Sequence, residues 1–304
     1  MNSDRNSIRF SLRPVMPFRL DLTVWALRRR SGNTVDVWQD ETYRRVLAIN
    51  GHAVLVEVTQ KEARLDVAIT GTNVDSATKQ ETTLALERLL GIRRDLSDFY
   101  RFASSHPPLN KLAERFRGFK PPRFATVFEA VVNGITCQQL SLTVGIIFLN
   151  RLAERCGLPF RPGMYAFPRP DNLANLDPAD LRPLGYSGSK ARALIELSQS
   201  LVKGRLDLEE LRQFDNQECI ERLVAIRGIG RWTAEYVLLR GLGRIDIFPG
   251  DDVGARNNLE RWLRLRKKLD YDRAQRVLSK WKGYGGLIFL HLLLKSLDDE
   301  GSLD

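Results

Sequence analysis

Apolar and polar positions follow two rhythms along this chain of 304 residues. Through about Ser104 the apolar positions tend to alternate with polar ones, as in strands that bury one face. Phe18–Leu27, Asn33–Trp38, Tyr43–Ile49, Ala53–Val58 and Arg64–Thr70 read as strands on this basis, and Thr82–Leu90 as a helix. Asn50-Gly51 lies between two of the strands and favours a tight hairpin, because both residues tolerate positive φ. Beyond Ser104 the apolar period lengthens to that of a helix, with proline breaks at Pro107-Pro108 and Pro121-Pro122. Helices are predicted over Phe124–Cys137, Gln139–Cys156, Asp177–Leu184, Lys190–Leu201, Gln217–Ile226 and Arg231–Gly241. Asp252–Leu263, Asp272–Lys280 and Gly285–Leu297 complete the set, and Pro159–Pro170 reads as a proline-rich loop. The expected organisation is α+β: a flexible tail over 1–15, a small antiparallel-sheet domain over 16–104, and an all-α domain over 105–304.

Composition narrows the function more than the fold. Hydrophobic residues make up 43% of the chain and charged residues 28%, ordinary for a globular protein in water. No run approaches the roughly 18 apolar residues of a membrane span. Met1–Pro14 lacks the apolar block of a secretion signal, so a cytoplasmic protein without a membrane partner is expected. Three scattered cysteines (Cys137, Cys156, Cys219) and three histidines (His52, His106, His291) suggest neither a disulfide framework nor metal-ligand spacing. No cofactor or transition metal is expected. The formal charge of +10 suits a polyanionic partner. Arg256–Lys282 alone holds ten basic residues against three acidic ones, a candidate surface for DNA phosphates.

The most informative stretch is Leu223–Asp252, LVAIRGIGRWTAEYVLLRGLGRIDIFPGDD. An apolar helix runs into Gly228-Ile229-Gly230, and a second helix starts at Arg231. The two glycines are expected to permit backbone angles that other residues resist. Ile229 between them should pack into the groove between the helices. The first amides of the second helix have no partner within it and lie at the positive end of its dipole. They form a backbone cradle for phosphate, with Arg231 and Thr233 beside it. Trp232 and Tyr236 are four apart and share a face of that helix. Core packing is the plain reading of this pair.

This hairpin (219–241), the loop Phe248-Pro249-Gly250 after it and the pair Asp251-Asp252 resemble the helix-hairpin-helix (HhH-GPD) DNA glycosylase superfamily. The resemblance is greatest to the 3-methyladenine DNA glycosylase II (AlkA) type. Gly134–Ser141, Leu184-Gly185-Tyr186 with Ser189-Lys190-Ala191, and Trp281, Tyr284 and His291 extend it along the chain. The N-terminal segment resembles the TBP-like α/β domain of that superfamily. The resemblance implies a cleft between two helical lobes, with Asp252 as the catalytic carboxylate and Asp251 as a helix cap or support. It places Trp232 and Tyr236 against an everted base, and Leu293 where the family has a third aromatic. It puts Gln139 at the position that wedges into the duplex, with Gln138 and Leu140 as alternatives, and Lys190 on a phosphate. The carbonyls of Val224, Ile226 and Ile229 would hold a structural cation.

The implied activity is base excision repair. A bacterial, nucleoid-associated monomer would flip an alkylated base, of the 3-methyladenine or 7-methylguanine type, out of double-stranded DNA and leave an abasic site. Flipping costs a few kcal/mol. Such bases are cations, attracted to aromatic faces by about 0.5–2 kcal/mol, and they leave readily. One carboxylate beside the sugar then suffices. Strand-nicking relatives carry a lysine two residues after the second hairpin glycine, and this chain has Trp232 there, so a monofunctional enzyme is expected. Two other readings stay open: a non-catalytic binder of damaged DNA, and a glycosylase for oxidised, deaminated or ethenoadduct bases.

Overall fold

Strands β1 (Asn6–Leu12), β2 (Val37–Gln39), β3 (Thr42–Ile49), β4 (His52–Lys61) and β5 (Arg64–Gly71) form one antiparallel sheet in the order β1-β5-β4-β3-β2. The computed structural model describes residues 5–303. Asn50 and Gly51 both take positive φ, 50° and 79°, and close the β3–β4 hairpin with Ile49 opposite His52. Two helices accompany the sheet, α1 (Leu20–Arg28) and α2 (Ser76–Leu90).

Helices then dominate. They are α3 (Ser97–Ser104), α4 (Pro107–Arg115), α5 (Val127–Cys137), α6 (Leu142–Cys156), the short α7 (Pro170–Leu173) and α8 (Pro178–Leu181), and α9 (Gly188–Val202). After them come α10 (Asn216–Val224), α11 (Arg231–Val237, continued by a wider turn over Leu238–Leu242), α12 (Val253–Leu263), α13 (Tyr271–Leu278) and α14 (Gly285–Asp299). Local chemistry fixes many of the starts. Thr126, Ser141, Ser187, Asp215, Asp252 and Asp270 each accept the backbone N–H three residues on.

Two large apolar cores result, and a third, small one joins Val46 and Leu55 of the sheet to Phe160 and Ala166. Val56, Val58 and Ile69 of the sheet pack with Val131, Leu194 and Val237 of α5, α9 and α11. Phe99, Leu112, Leu259, Leu278 and Leu290 form the second core from α3, α4, α12, α13 and α14. Helix α1 serves both: Leu20, Val24 and Leu27 face the first core, and Leu22, Trp25 and Ala26 the second. A buried ion pair ties sheet to helices, with Arg45 donating to Asp36 at 2.8 Å and to Glu129 at 2.7 Å. Pairing offsets much of the cost of burying charges this deeply.

Several expectations change. Phe18–Leu27 is mostly helix rather than strand, because both of its faces are buried and no polar stripe marks the helical period. Asn33–Trp38 contributes only the start of β2. The expected tail is largely strand: β1 pairs with β5 from Asn6–Gly71 to Leu12–Leu65, and residues 1–4 of that tail lie outside the described residues. Pro159–Pro170 carries a small ribbon, β6 (Pro159–Arg161) against β7 (Met164–Tyr165), so the latter part of the chain is not entirely α. The core does not change at residue 104, since Phe99 of α3 lies 5.3 Å from His291 of α14.

Candidate active site and hairpin

Helices α10 and α11 meet through the expected glycine turn. Gly228 has φ +84°, and a Cβ there would sit 2.6 Å from Ala193 of α9. Gly230 has φ −95° and nothing within 4 Å of a Cβ, so the fold needs glycine at the first position and not at the second. The expectation for Gly230 is corrected accordingly: its open flank leaves room for close approach by another molecule. Ile229 is buried in the first core, as expected.

Three polar residues expected near DNA brace this turn. The Gln138 amide donates to Gly228 O and to Thr233 Oγ1, both at 2.8 Å, and Thr233 is buried. Lys190 Nζ donates to Thr136 O at 2.9 Å and Gln138 O at 2.7 Å, capping the end of α5. An ammonium so engaged clamps the α5–α6 turn with two of its three N–H groups, and burial lowers its pKa. Arg231 donates to Asp251 at 3.2 Å and lies 4.2 Å over the Tyr271 ring. Gln139 stands exposed at the tip of the turn with φ +55°, and Leu140 is half-buried beside it. Of the carbonyls of Val224, Ile226 and Ile229, that of Ile226 accepts the Ile229 N–H at 3.1 Å, which leaves its second lone pair. Such neutral oxygens suit a hard alkali or alkaline-earth ion.

A cavity of about 430 Å³ lies at the seam between the two cores. Trp232 and Tyr236 form one wall, stacked on each other at 5.4 Å with 19° between planes. Phe289 and Leu293 of α14 also line it, and Leu140 borders it. Asp252 belongs both to this cavity and to the groove beside the hairpin. Its Oδ1 accepts the Ala255 N–H at 2.8 Å and its Oδ2 the Trp232 indole N–H at 3.1 Å. Asp252, not Asp251, is therefore the cap of α12, and its other oxygen is bonded to Trp232 of the cavity wall.

The loop that carries Asp252 is held on both flanks. Glu235 of α11 accepts from Gly250 N at 3.1 Å and from the Tyr271 hydroxyl at 2.7 Å, and burial raises its pKa. Arg256 donates to Gly250 O at 2.8 Å. A Cβ on Gly250 would meet the Tyr271 ring at 2.6 Å.

Sequence reasoning missed Arg29, Cys137 and Arg240, which also line the cavity. Arg29 donates to the Tyr236 hydroxyl at 2.9 Å and to Asn133 at 2.7 Å. Burial raises the pKa of both Tyr236 and Cys137, against the opposing charge of Arg29. Arg240 was detectable as one charge inside the apolar run Val237–Leu242. Arg29, in the triplet Arg28–Arg30, carried no such signal.

The sequence model of the HhH-GPD superfamily base excision DNA repair proteins matches residues 132–283. The chain belongs to that superfamily. The HhH-GPD match includes the hairpin and Asp252, while Arg29 and Leu293 reach the cavity from outside it. The DNA-3-methyladenine glycosylase of Bacillus subtilis is 26% identical over 271 residues, 87% of this chain and 89% of that protein. A second B. subtilis protein, whose name also refers to DNA-3-methyladenine glycosylase, is 33% identical over 167 residues, and the match spans 55% of this chain but only 58% of that protein. The solved 3-methyladenine DNA-glycosylase of Archaeoglobus fulgidus superposes with a TM-score of 0.83 at 25% identity, over 97% of this chain and all of that one. Among the described residues no helix is long and apolar enough to cross a membrane.

Proposed function

We propose that this HhH-GPD chain is a monofunctional DNA glycosylase that everts an alkylated base, of the 3-methyladenine or 7-methylguanine type, and hydrolyses its N-glycosidic bond. The observation that carries this reading is the position of Asp252, hydrogen-bonded to Trp232 where the hairpin groove meets the aromatic-walled cavity.

The hairpin amides and the open flank of Gly230 take the strand backbone. A cation on the Val224, Ile226 and Ile229 carbonyls would add positive charge there. Gln139 and Leu140, next to the cavity mouth, fill the gap left by the base. The base enters against the Trp232–Tyr236 wall. As the glycosidic bond breaks, the base leaves with the bonding electron pair and positive charge grows at C1′. The Asp252 carboxylate stabilises that charge, fixed in advance by two hydrogen bonds so that little reorganisation is needed. Water then supplies the new oxygen on C1′ and gives up its proton to solvent.

Neither the cavity nor the adjoining groove has a lysine among its lining residues, and Lys190 is bound to carbonyls. This supports hydrolysis over Schiff-base chemistry. The test is base release from methylated duplex DNA, with Asp252→Asn abolishing release while duplex affinity is retained. Equal release by that variant sinks the assignment, and a strand break without alkali or heat sinks the monofunctional reading.

A further inference from the structure

Arg240 is wholly buried in the turn that continues α11, and none of its three side-chain nitrogens has a hydrogen-bond partner among the described residues. Its guanidinium lies 4.9 Å over the Phe124 ring, and Arg240 is among the residues that line the cavity. Burial lowers its pKa to about 10, so it stays charged at neutral pH. Its backbone is fixed, because Arg240 O accepts the Phe124 N–H at 2.8 Å.

An arginine side chain offers five N–H donors in a rigid fork, and buried donors are almost always satisfied. The neighbouring Arg29 satisfies two of its three nitrogens, with the Tyr236 hydroxyl and Asn133 as acceptors. The nearby carboxylates Asp36 and Glu129 are paired with Arg45. The aromatic face of Phe124 eases the charge but accepts no in-plane hydrogen bond.

We propose that Arg240 reads a carbonyl oxygen on the everted base and is a specificity-determining residue of this cavity, an inference that rests on the glycosylase reading above. A base with oxygen at C6 supplies the missing acceptor. A base with an amino group at C6 would set N–H against N–H. In DNA grooves arginine reads guanine through O6 and N7 together; with N7 methylated, O6 is the acceptor left at that edge. The cavity therefore favours 7-methylguanine over 3-methyladenine by an interaction that leaving-group charge does not explain, since both bases are cations.

The first test measures release of both lesions from the same duplex context by the wild-type protein and by Arg240→Met. The 7-methylguanine to 3-methyladenine rate ratio should fall by roughly tenfold or more in the variant. A ratio taken within one preparation is insensitive to the fraction folded, and an unchanged ratio overturns the proposal. The second test needs no variant. Free hypoxanthine, with oxygen at C6, and free adenine, with an amino group there, are titrated into the wild-type protein and followed by tryptophan fluorescence. Hypoxanthine should bind several-fold tighter; equal affinity, tighter adenine, or binding of neither overturns the proposal. If the wild type releases neither lesion, the glycosylase reading fails, and the titration still decides what Arg240 recognises.

Discussion

The indole N–H of Trp232 donates to Oδ2 of Asp252 at 3.1 Å, joining the hairpin helix to the cap of α12 across 20 residues of sequence. One side chain of the cavity wall thus orients the carboxylate proposed to act on the sugar.

Trp232→Phe tests that relationship by keeping an aromatic ring and deleting the donor. A hydrogen bond to a charged group contributes about 1.5–3 kcal/mol, so single-turnover base release should slow by roughly ten- to a hundredfold. Duplex affinity should be unchanged. A variant as fast as the wild type would show that the indole does not position Asp252.

The two hairpin glycines should separate stability from binding. Gly228→Ala forces a side chain into positive φ and against Ala193, and should lower the unfolding free energy by at least about 2 kcal/mol in a denaturant titration. Gly230→Ala meets no protein atom. It should unfold like the wild type within about 0.5 kcal/mol and bind duplex DNA more weakly. Matching losses of stability in both variants would contradict this.

Glu235 holds the loop before Asp252 through Gly250 N and the Tyr271 hydroxyl. Glu235→Ala leaves both donors without an acceptor, at about 1–3 kcal/mol each. The loop should loosen, lowering kcat more than it raises KM. A change confined to KM would place the role of Glu235 in binding instead.

His291 gives a pH dependence. Nδ1–H donates to Leu287 O at 2.7 Å, Nε2 has no partner, and burial lowers the pKa to about 4 from 6.5. Between those values the unfolded chain takes up a proton that the fold excludes. Stability should therefore fall as pH drops from about 6.5 to 4, by up to about 3 kcal/mol from this residue. Melting curves of wild type and His291→Leu at pH 7.5 and 4.5 should show a smaller acid loss in the variant. Parallel curves would assign the loss to other groups.

The hairpin, Ile229 in its groove, the Asn50-Gly51 turn and the helices after residue 121 were legible because each depends on contiguous residues. The reading faltered where burial came from two sides. Helix α1 shows alternating apolar positions only because one face meets the sheet core and the other meets α14. Lys190 and Thr233 looked available for phosphate because polar side chains usually face solvent. Here carbonyls at the end of α5 and the Gln138 amide take them up.

By itself the sequence determined a two-part α+β chain, a glycine hairpin with exposed amides, and an aspartate pair just beyond it. Periodicity, φ preference and capping chemistry act over a few residues and can be read in line. Only the tertiary structure decided which aspartate caps and which pairs with Arg231. It also brought Arg29 from just past the end of α1, Arg240 from the turn after α11 and Leu293 from α14 to one cavity. Those meetings depend on how two cores close against each other, and no local pattern encodes the distance between residues 29 and 293.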